Sequence, residues 1–139
     1  MIILDTNIVS ELMKSEPDKG VIKWFETLED QPIMLTVISV AELRYGVSAL
    51  PDGKRKDQLD EAITDLINED FEDRILDFNQ ASAEAYGILL AKLRSEGITT
   101  SQSDAMIASI ALINEAQLVT RNIRDFKHCG VPLINPFSA

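Results

Sequence analysis

Four acids of the chain stand where short apolar runs give way to helices. Asp5 follows Met1-Ile2-Ile3-Leu4, and Glu42 lies in the first helical turn after Ile33-Met34-Leu35. Asp104 opens the apolar stretch that begins at Ala105, and Asp125 follows the run at 117–120, with Asn122 between. In a parallel sheet such positions gather outside the carboxyl ends of the strands, where helix N-termini also point. Carboxylates crowded into one crevice repel one another unless a cation neutralises them, and oxygen donors with water are what Mg2+ and Mn2+ prefer. The chemistry on offer is that of a divalent cation held by carboxylates.

Each acid also has a local reading. Asp5 can be a helix N-cap. Ser39-Val40-Ala41-Glu42 has the form of a capping box, in which the Glu reaches back to its own helix start, and Ser101-Gln102-Ser103-Asp104 has a similar form. Asp104, however, fronts a helix that is apolar nearly all round, and an acid buried there without a partner is costly. Asn122 can be a plain cap and Asp125 a plain first-turn acid. Among cations, Arg121, Arg124 and Lys127 fall beside the expected crevice, whereas Lys54-Arg55-Lys56 reads first as a solvated helix start and second as a phosphate contact. No G-x-G-x-x-G or G-x-x-x-x-G-K-[ST] occurs around the six glycines, which removes dinucleotide and P-loop readings. The one histidine, His128, reads as a surface residue and the one cysteine, Cys129, as a small buried residue. Together they cannot supply a closed Cys/His zinc site or an internal disulfide.

The elements that must position these acids follow from periodicity. Apolar runs at 1–4, 33–35, 74–76, 117–120 and 131–134 read as five buried strands. Helical spacing links Ile8, Val9, Leu12 and Met13, then Val21 to Leu28, then a helix from Ser39 through Leu50. Further helices carry Leu59, Ile63, Leu66 and Ile67, and run from Asn79 to Gly97. Another starts within 99–104 and is buried on several sides through Ile113. The alternation predicts an α/β fold with a mainly parallel sheet covered on both faces, and 139 residues suit one domain over 1–139. The acidic start lacks a secretory signal and no apolar run is long enough to span a bilayer, so the expected compartment is cytoplasm. Thirteen Lys and Arg against 23 Asp and Glu give a net charge of -10, opposite to the footprint of a nucleic-acid binder. Contact with nucleic acid must then be local, and a basic protein or a divalent cation is the natural partner.

Taken in order, Ile2-Ile3-Leu4-Asp5-Thr6-Asn7, Ser39-Val40-Ala41-Glu42-Leu43-Arg44-Tyr45-Gly46, Ser103-Asp104-Ala105-Met106-Ile107-Ala108 and Val119-Thr120-Arg121-Asn122-Ile123-Arg124-Asp125-Phe126 resemble the motifs of PIN-domain ribonucleases. The likeness is strongest to the VapC and FitB toxins of bacterial type II toxin-antitoxin pairs, and it extends to Ile134-Asn135-Pro136. It implies a PIN-like three-layer α/β/α fold and an endoribonuclease using Mg2+ or Mn2+. Asp5, Glu42 and Asp104 would be the acidic metal-site residues, with Asn7 and Thr120 as polar supports. Where many members carry a fourth acid this chain has Asn122, so either Asp125 takes that role or the site has three carboxylates. Arg121 and Arg124 are possible RNA contacts. The resemblance also implies a homodimer and a cognate antitoxin through which operator DNA is bound. Two other readings remain beside it: a phosphoacceptor receiver-like module, and a noncatalytic PIN-like binding protein.

Overall fold

Every strand carries apolar residues on both faces, so the sheet they form has to be covered on both sides. In the computed structural model, which describes residues 1–138, β1 (Ile2–Leu4), β2 (Ile33–Thr36), β3 (Ile75–Leu76), β4 (Gln117–Val119) and β5 (Leu133–Ile134) pair in parallel in the order β3-β2-β1-β4-β5. The helices between them are α1 (Thr6–Leu12), α2 (Lys19–Thr27), α3 (Val37–Ser48), α4 (Lys54–Asp65), α5 (Gln80–Ser95), α6 (Gln102–Ile113) and α7 (Ile123–Phe126). The period-2 alternation of the strands divides the core in two. Ile3 and Leu118 point into a cluster with Leu89, Leu93, Ile107 and Phe126 from α5, α6 and α7. Ile2, Leu4, Leu35 and Val119 point the other way, onto Ile8, Val9, Leu43, Val47 and Ile63 from α1, α3 and α4. The expected three layers and five strands are both present.

The strand order places β1 at the centre and reverses beside it: the chain moves outward through β2 and β3, then returns to the other side of β1 with β4. Ligand crevices of open α/β sheets form at such a switch point, outside the carboxyl ends of the strands. Asp5 is the residue after β1 and Thr120 the residue after β4, so both stand at that crevice. The apolar helix α6 is buried as expected, with Ala105, Ile107, Ala108, Ser109, Ile110 and Ala111 all inaccessible. Cys129 is buried and His128 exposed, as the sequence indicated. Among the described residues no helix is long and apolar enough to cross a membrane.

Two local features differ from the sequence reading. The helix expected from Ser39 begins two residues earlier, because Thr36, the last residue of β2, caps it by accepting the Ser39 N–H at 3.2 Å. Ser39 is therefore inside the helix and fully buried, and the Ser39–Glu42 capping box does not form. Glu42 is left exposed on the second turn, free of any capping duty. After α4 the chain also widens into a single π turn, Leu66–Asp70, which apolar spacing alone does not reveal. Thr36→Ala is expected to cost about 1 kcal/mol of stability, the usual value of an N-cap. Glu42→Gln should change the urea midpoint little; if Glu42→Gln were the more destabilising of the two, the reassigned cap would be wrong.

Candidate functional site

Asp5 caps α1 with one carboxylate oxygen and meets a second set of donors with the other. Its Oδ1 accepts the Thr6 N–H at 2.8 Å, which satisfies the first free amide of α1. Its Oδ2 accepts the Thr120 hydroxyl at 2.8 Å and the Asn7 amide at 3.2 Å. An ionised carboxylate has about four lone-pair positions, so these three donors leave about one for a ligand. The brace continues outward: Thr120 Oγ1 accepts the Asn122 N–H at 3.0 Å, and Asn7 Oδ1 accepts the Arg121 N–H at 3.2 Å. Asn122 thus reaches the site through its backbone, and its side chain makes no cap to α7.

Glu42 comes to the same place by another route. Thr6 Oγ1 lies 2.7 Å from Glu42 Oε1 and 2.9 Å from Ser39 Oγ. Thr6 has a single proton, and an ionised carboxylate only accepts, so Thr6 donates to Glu42 and Ser39 donates to Thr6. Asp104 stands in the first turn of α6, half-buried, its N–H donated to the Ser101 hydroxyl at 3.2 Å. Asp5, Glu42 and Asp104 line one pocket of about 420 Å3, together with Thr6, Asn7, Ser10, Glu11, Lys14, Arg121, Asn122 and Phe137.

Of the residues singled out in the sequence, Asp5, Asn7, Glu42, Asp104, Arg121 and Asn122 share this pocket, and Thr120 is fully buried beneath it. Asp125 does not line it, although its charge is felt at Asp104 from the exposed rim. Arg124 and Lys127 are exposed and also outside the lining. Lys56 is held by the Ser48 carbonyl and Asp52 at the start of α4, which favours the structural reading of that basic run. Ser39, Thr6, Lys14 and Phe137 were not anticipated. Thr6, beside Asp5, and Ser39, at the head of the motif that holds Glu42, carried some signal.

Burial pushes the Asp5 carboxyl up to about 6, with the negative charges of Asp104 and Glu42 adding to it and the Thr120 and Thr6 hydrogen bonds opposing. Burial likewise raises Asp104, and Asp125 and Glu42 raise it further, against a hydrogen bond with Ser101. A pocket whose acids resist ionisation has room for positive charge. The donors are hard oxygens, which fits Mg2+ or Mn2+ in kind. Among the described residues no three Asp, Glu, His or Cys side chains close on a single point, so no finished cage is present. An open acidic wall of that sort fits a cation that keeps several waters and takes one or two carboxylates directly.

The chain matches the PIN domain family over residues 2–131. It belongs to the PIN-domain family. It is 40% identical over 139 residues, 100% of both chains, to the plasmid stability protein StbB of Pseudomonas syringae pv. tomato. It is 34% identical over 137 residues, 99% of this chain and 98% of the relative, to the VapC ribonuclease Y4jK of Sinorhizobium fredii. Among solved structures it resembles FitAB bound to an IR36 DNA fragment, with a TM-score of 0.91 and 32% identity across 100% of this chain and 97% of the other. The resemblance expected from the four motifs thus holds, and PIN-domain membership displaces the phosphoacceptor receiver reading.

The raised Asp5 value has a testable consequence for this PIN-domain protein. The folded chain binds the Asp5 proton more tightly than the unfolded chain, so the protonated form favours the fold and stability falls as pH rises from about 4 to about 6. At 1.36 kcal/mol per unit the loss is at most about 3 kcal/mol. In EDTA, Asp5→Asn should gain stability relative to the parent between pH 4.5 and 7.5, by roughly 1–3 kcal/mol in denaturant titrations. A constant difference across that range would contradict the buried-acid account.

Proposed function

We propose that the chain is a divalent-metal-dependent endoribonuclease of the VapC type, the toxin of a toxin-antitoxin pair, using Mg2+ or Mn2+. The observation that carries this reading is the single pocket lined by Asp5, Glu42 and Asp104, with Asp5 buried and braced from below by Thr120 and Asn7. PIN-domain membership and the 34% identity to a VapC ribonuclease support RNA as the substrate. Asp5 and Asp104 would hold the cation directly, with Glu42 completing the acidic wall. The chemistry a divalent cation supplies when bound is a lowered pKa for water and neutralisation of charge on the phosphodiester.

The chain's own residues do the positioning. Thr120 and Asn7 fix the Asp5 carboxylate in one orientation, and the Ser39–Thr6 relay aims Glu42. Asp125 acts from the rim, where its charge bears on Asp104. His128 lies outside the pocket and no proton transfer needs it. The expected protein partner is the cognate antitoxin, whose basic arm would meet a chain of net charge -10 and an acidic pocket. Operator DNA would be reached through that antitoxin, and a homodimer acting in the cytoplasm is the assembly the same resemblance implies. A noncatalytic PIN-like binding protein is the second reading, favoured by the neutral side chain at Asn122.

Cleavage of a labelled oligoribonucleotide in Mn2+ separates the two. Asp5→Asn and Asp104→Asn should each reduce it by about 100-fold or more while the fold, read by circular dichroism, is kept, and Thr120→Val by about 10- to 100-fold. Full activity in both Asn variants would defeat the ribonuclease reading, and no cleavage by the parent chain would favour the noncatalytic one. Calorimetric titration with Mn2+ provides a further check. An acid with a pKa of about 6 is about nine-tenths protonated at pH 5, so affinity should weaken at least about tenfold between pH 7.5 and pH 5. Equal affinities at both pH values would place the cation away from Asp5.

A further inference from the structure

The pocket has two cationic side chains on its wall, Lys14 and Arg121. Lys14 is paired with Glu11 at 2.9 Å. Arg121 forms no ion pair among the described residues, although it shares the pocket with four carboxylates, of which only Glu11 is paired with Lys14. Left to itself, a long guanidinium side chain at an acidic pocket would fold inward onto the acids. Here its Cζ instead lies over the Phe137 ring, 4.5 Å from the centroid, while its backbone is tied to Asn7 at 3.2 Å. A cation–π contact of this kind engages the ring face and leaves guanidinium N–H groups available to an outside acceptor.

Phe137 is itself held. Its N–H bonds to Asn135 Oδ1 at 3.0 Å, which closes a turn. The next residue, Ser138, donates both its N–H and its hydroxyl to Asp18 Oδ1 at 3.0 Å each, the same oxygen that caps α2 through Gly20 and Val21. The segment lies so close to α2 that a Cβ on Gly20 would stand 2.7 Å from the Pro136 carbonyl oxygen and 2.7 Å from the Ser138 nitrogen. Those are backbone atoms and cannot turn aside. Gly20 is thus required by the passage of residues 135–138.

We infer that residues 135–138 are a strap that holds Arg121 over Phe137 at the lip of the pocket, and that the exposed guanidinium of Arg121 binds a backbone phosphate of the RNA strand. The inference rests on the ribonuclease reading for its ligand and deepens it. Arg121 is the binding residue, whereas Phe137, Asp18 and Gly20 are positioning residues that act through it. A chain of net charge -10 needs such a device, because a cation that collapsed onto the carboxylates would serve neither phosphate nor metal. Pre-ordering the side chain also removes an entropic cost from binding.

Fluorescence anisotropy of a labelled single-stranded oligoribonucleotide in EDTA, across a salt series, tests this without any cleavage. Arg121→Ala, Phe137→Ala and Gly20→Ala should each weaken binding about five- to tenfold and flatten the salt slope by about 0.7 to 1. The double variant Arg121→Ala with Phe137→Ala should be no weaker than Arg121→Ala alone. Phe137→Trp should restore binding, whereas Arg121→Lys, lacking the planar fork, should not. Unchanged binding in Arg121→Ala overturns the phosphate contact, and a loss in Arg121→Ala without one in Phe137→Ala and Gly20→Ala overturns the strap. Equal loss for an acidic peptide and none for RNA would assign the lip to a protein segment instead, which also overturns the inference. The parent chain's cleavage assay reports separately: failure there with these binding differences intact rejects the ribonuclease reading alone.

Discussion

A carboxyl group, Asp5, sits 5% exposed at the end of the central strand, and the rest of the site follows from the cost of keeping it there. Burying a charged acid is unfavourable unless it is hydrogen-bonded or offset by opposite charge. The chain offers both kinds of compensation. Thr6, Asn7 and Thr120 supply donors from α1 and from the residue after β4, which are adjacent only because the sheet reverses direction beside β1. The remaining imbalance, expressed in the raised Asp5 and Asp104 carboxyls, is what the cation of the proposed ribonuclease would relieve. On the proposed reading, stability would be traded for readiness to bind, as is common where a site concentrates like charges.

Much of this arrangement was legible in the sequence, for a reason that particular residues make plain. Ile2, Ile3 and Leu4 are all buried because a central parallel strand has no solvent face, so an unbroken apolar run ending in Asp5 marked both strand and crevice. Helix α6 was equally legible from the stretch Ala105–Ile113, in which Ser109 is the one polar residue. Glu42 was harder. Its box-like spacing to Ser39 suggested a capping role, and only the tertiary fact that Thr36 already caps α3 releases it toward Thr6. Asp125, on the four-residue α7, lies outside the pocket lining but close enough for its charge to act on Asp104. Phe137 was invisible, because its importance comes from a contact with Arg121 and from Asp18 and Gly20, more than a hundred positions away in the chain.

The opposition between an acidic chain and an anionic substrate is settled locally. Net charge governs long-range encounter, but affinity at a phosphate depends on a few oriented donors. Arg121, supported on an aromatic ring, and a cation between carboxylates would place positive charge at two points of an otherwise acidic surface. The same acidity that discourages nonspecific nucleic-acid binding suits capture of a basic antitoxin segment.

The account is tested most directly by anomalous diffraction from crystals soaked in Mn2+, which locates the ion without reference to activity. The expected result is a peak within direct coordination distance of Asp5 and Asp104 carboxylate oxygens, inside the pocket that Glu42 also lines. A fully soaked crystal with no peak there, or with manganese bound only at other acids of the surface, would contradict it.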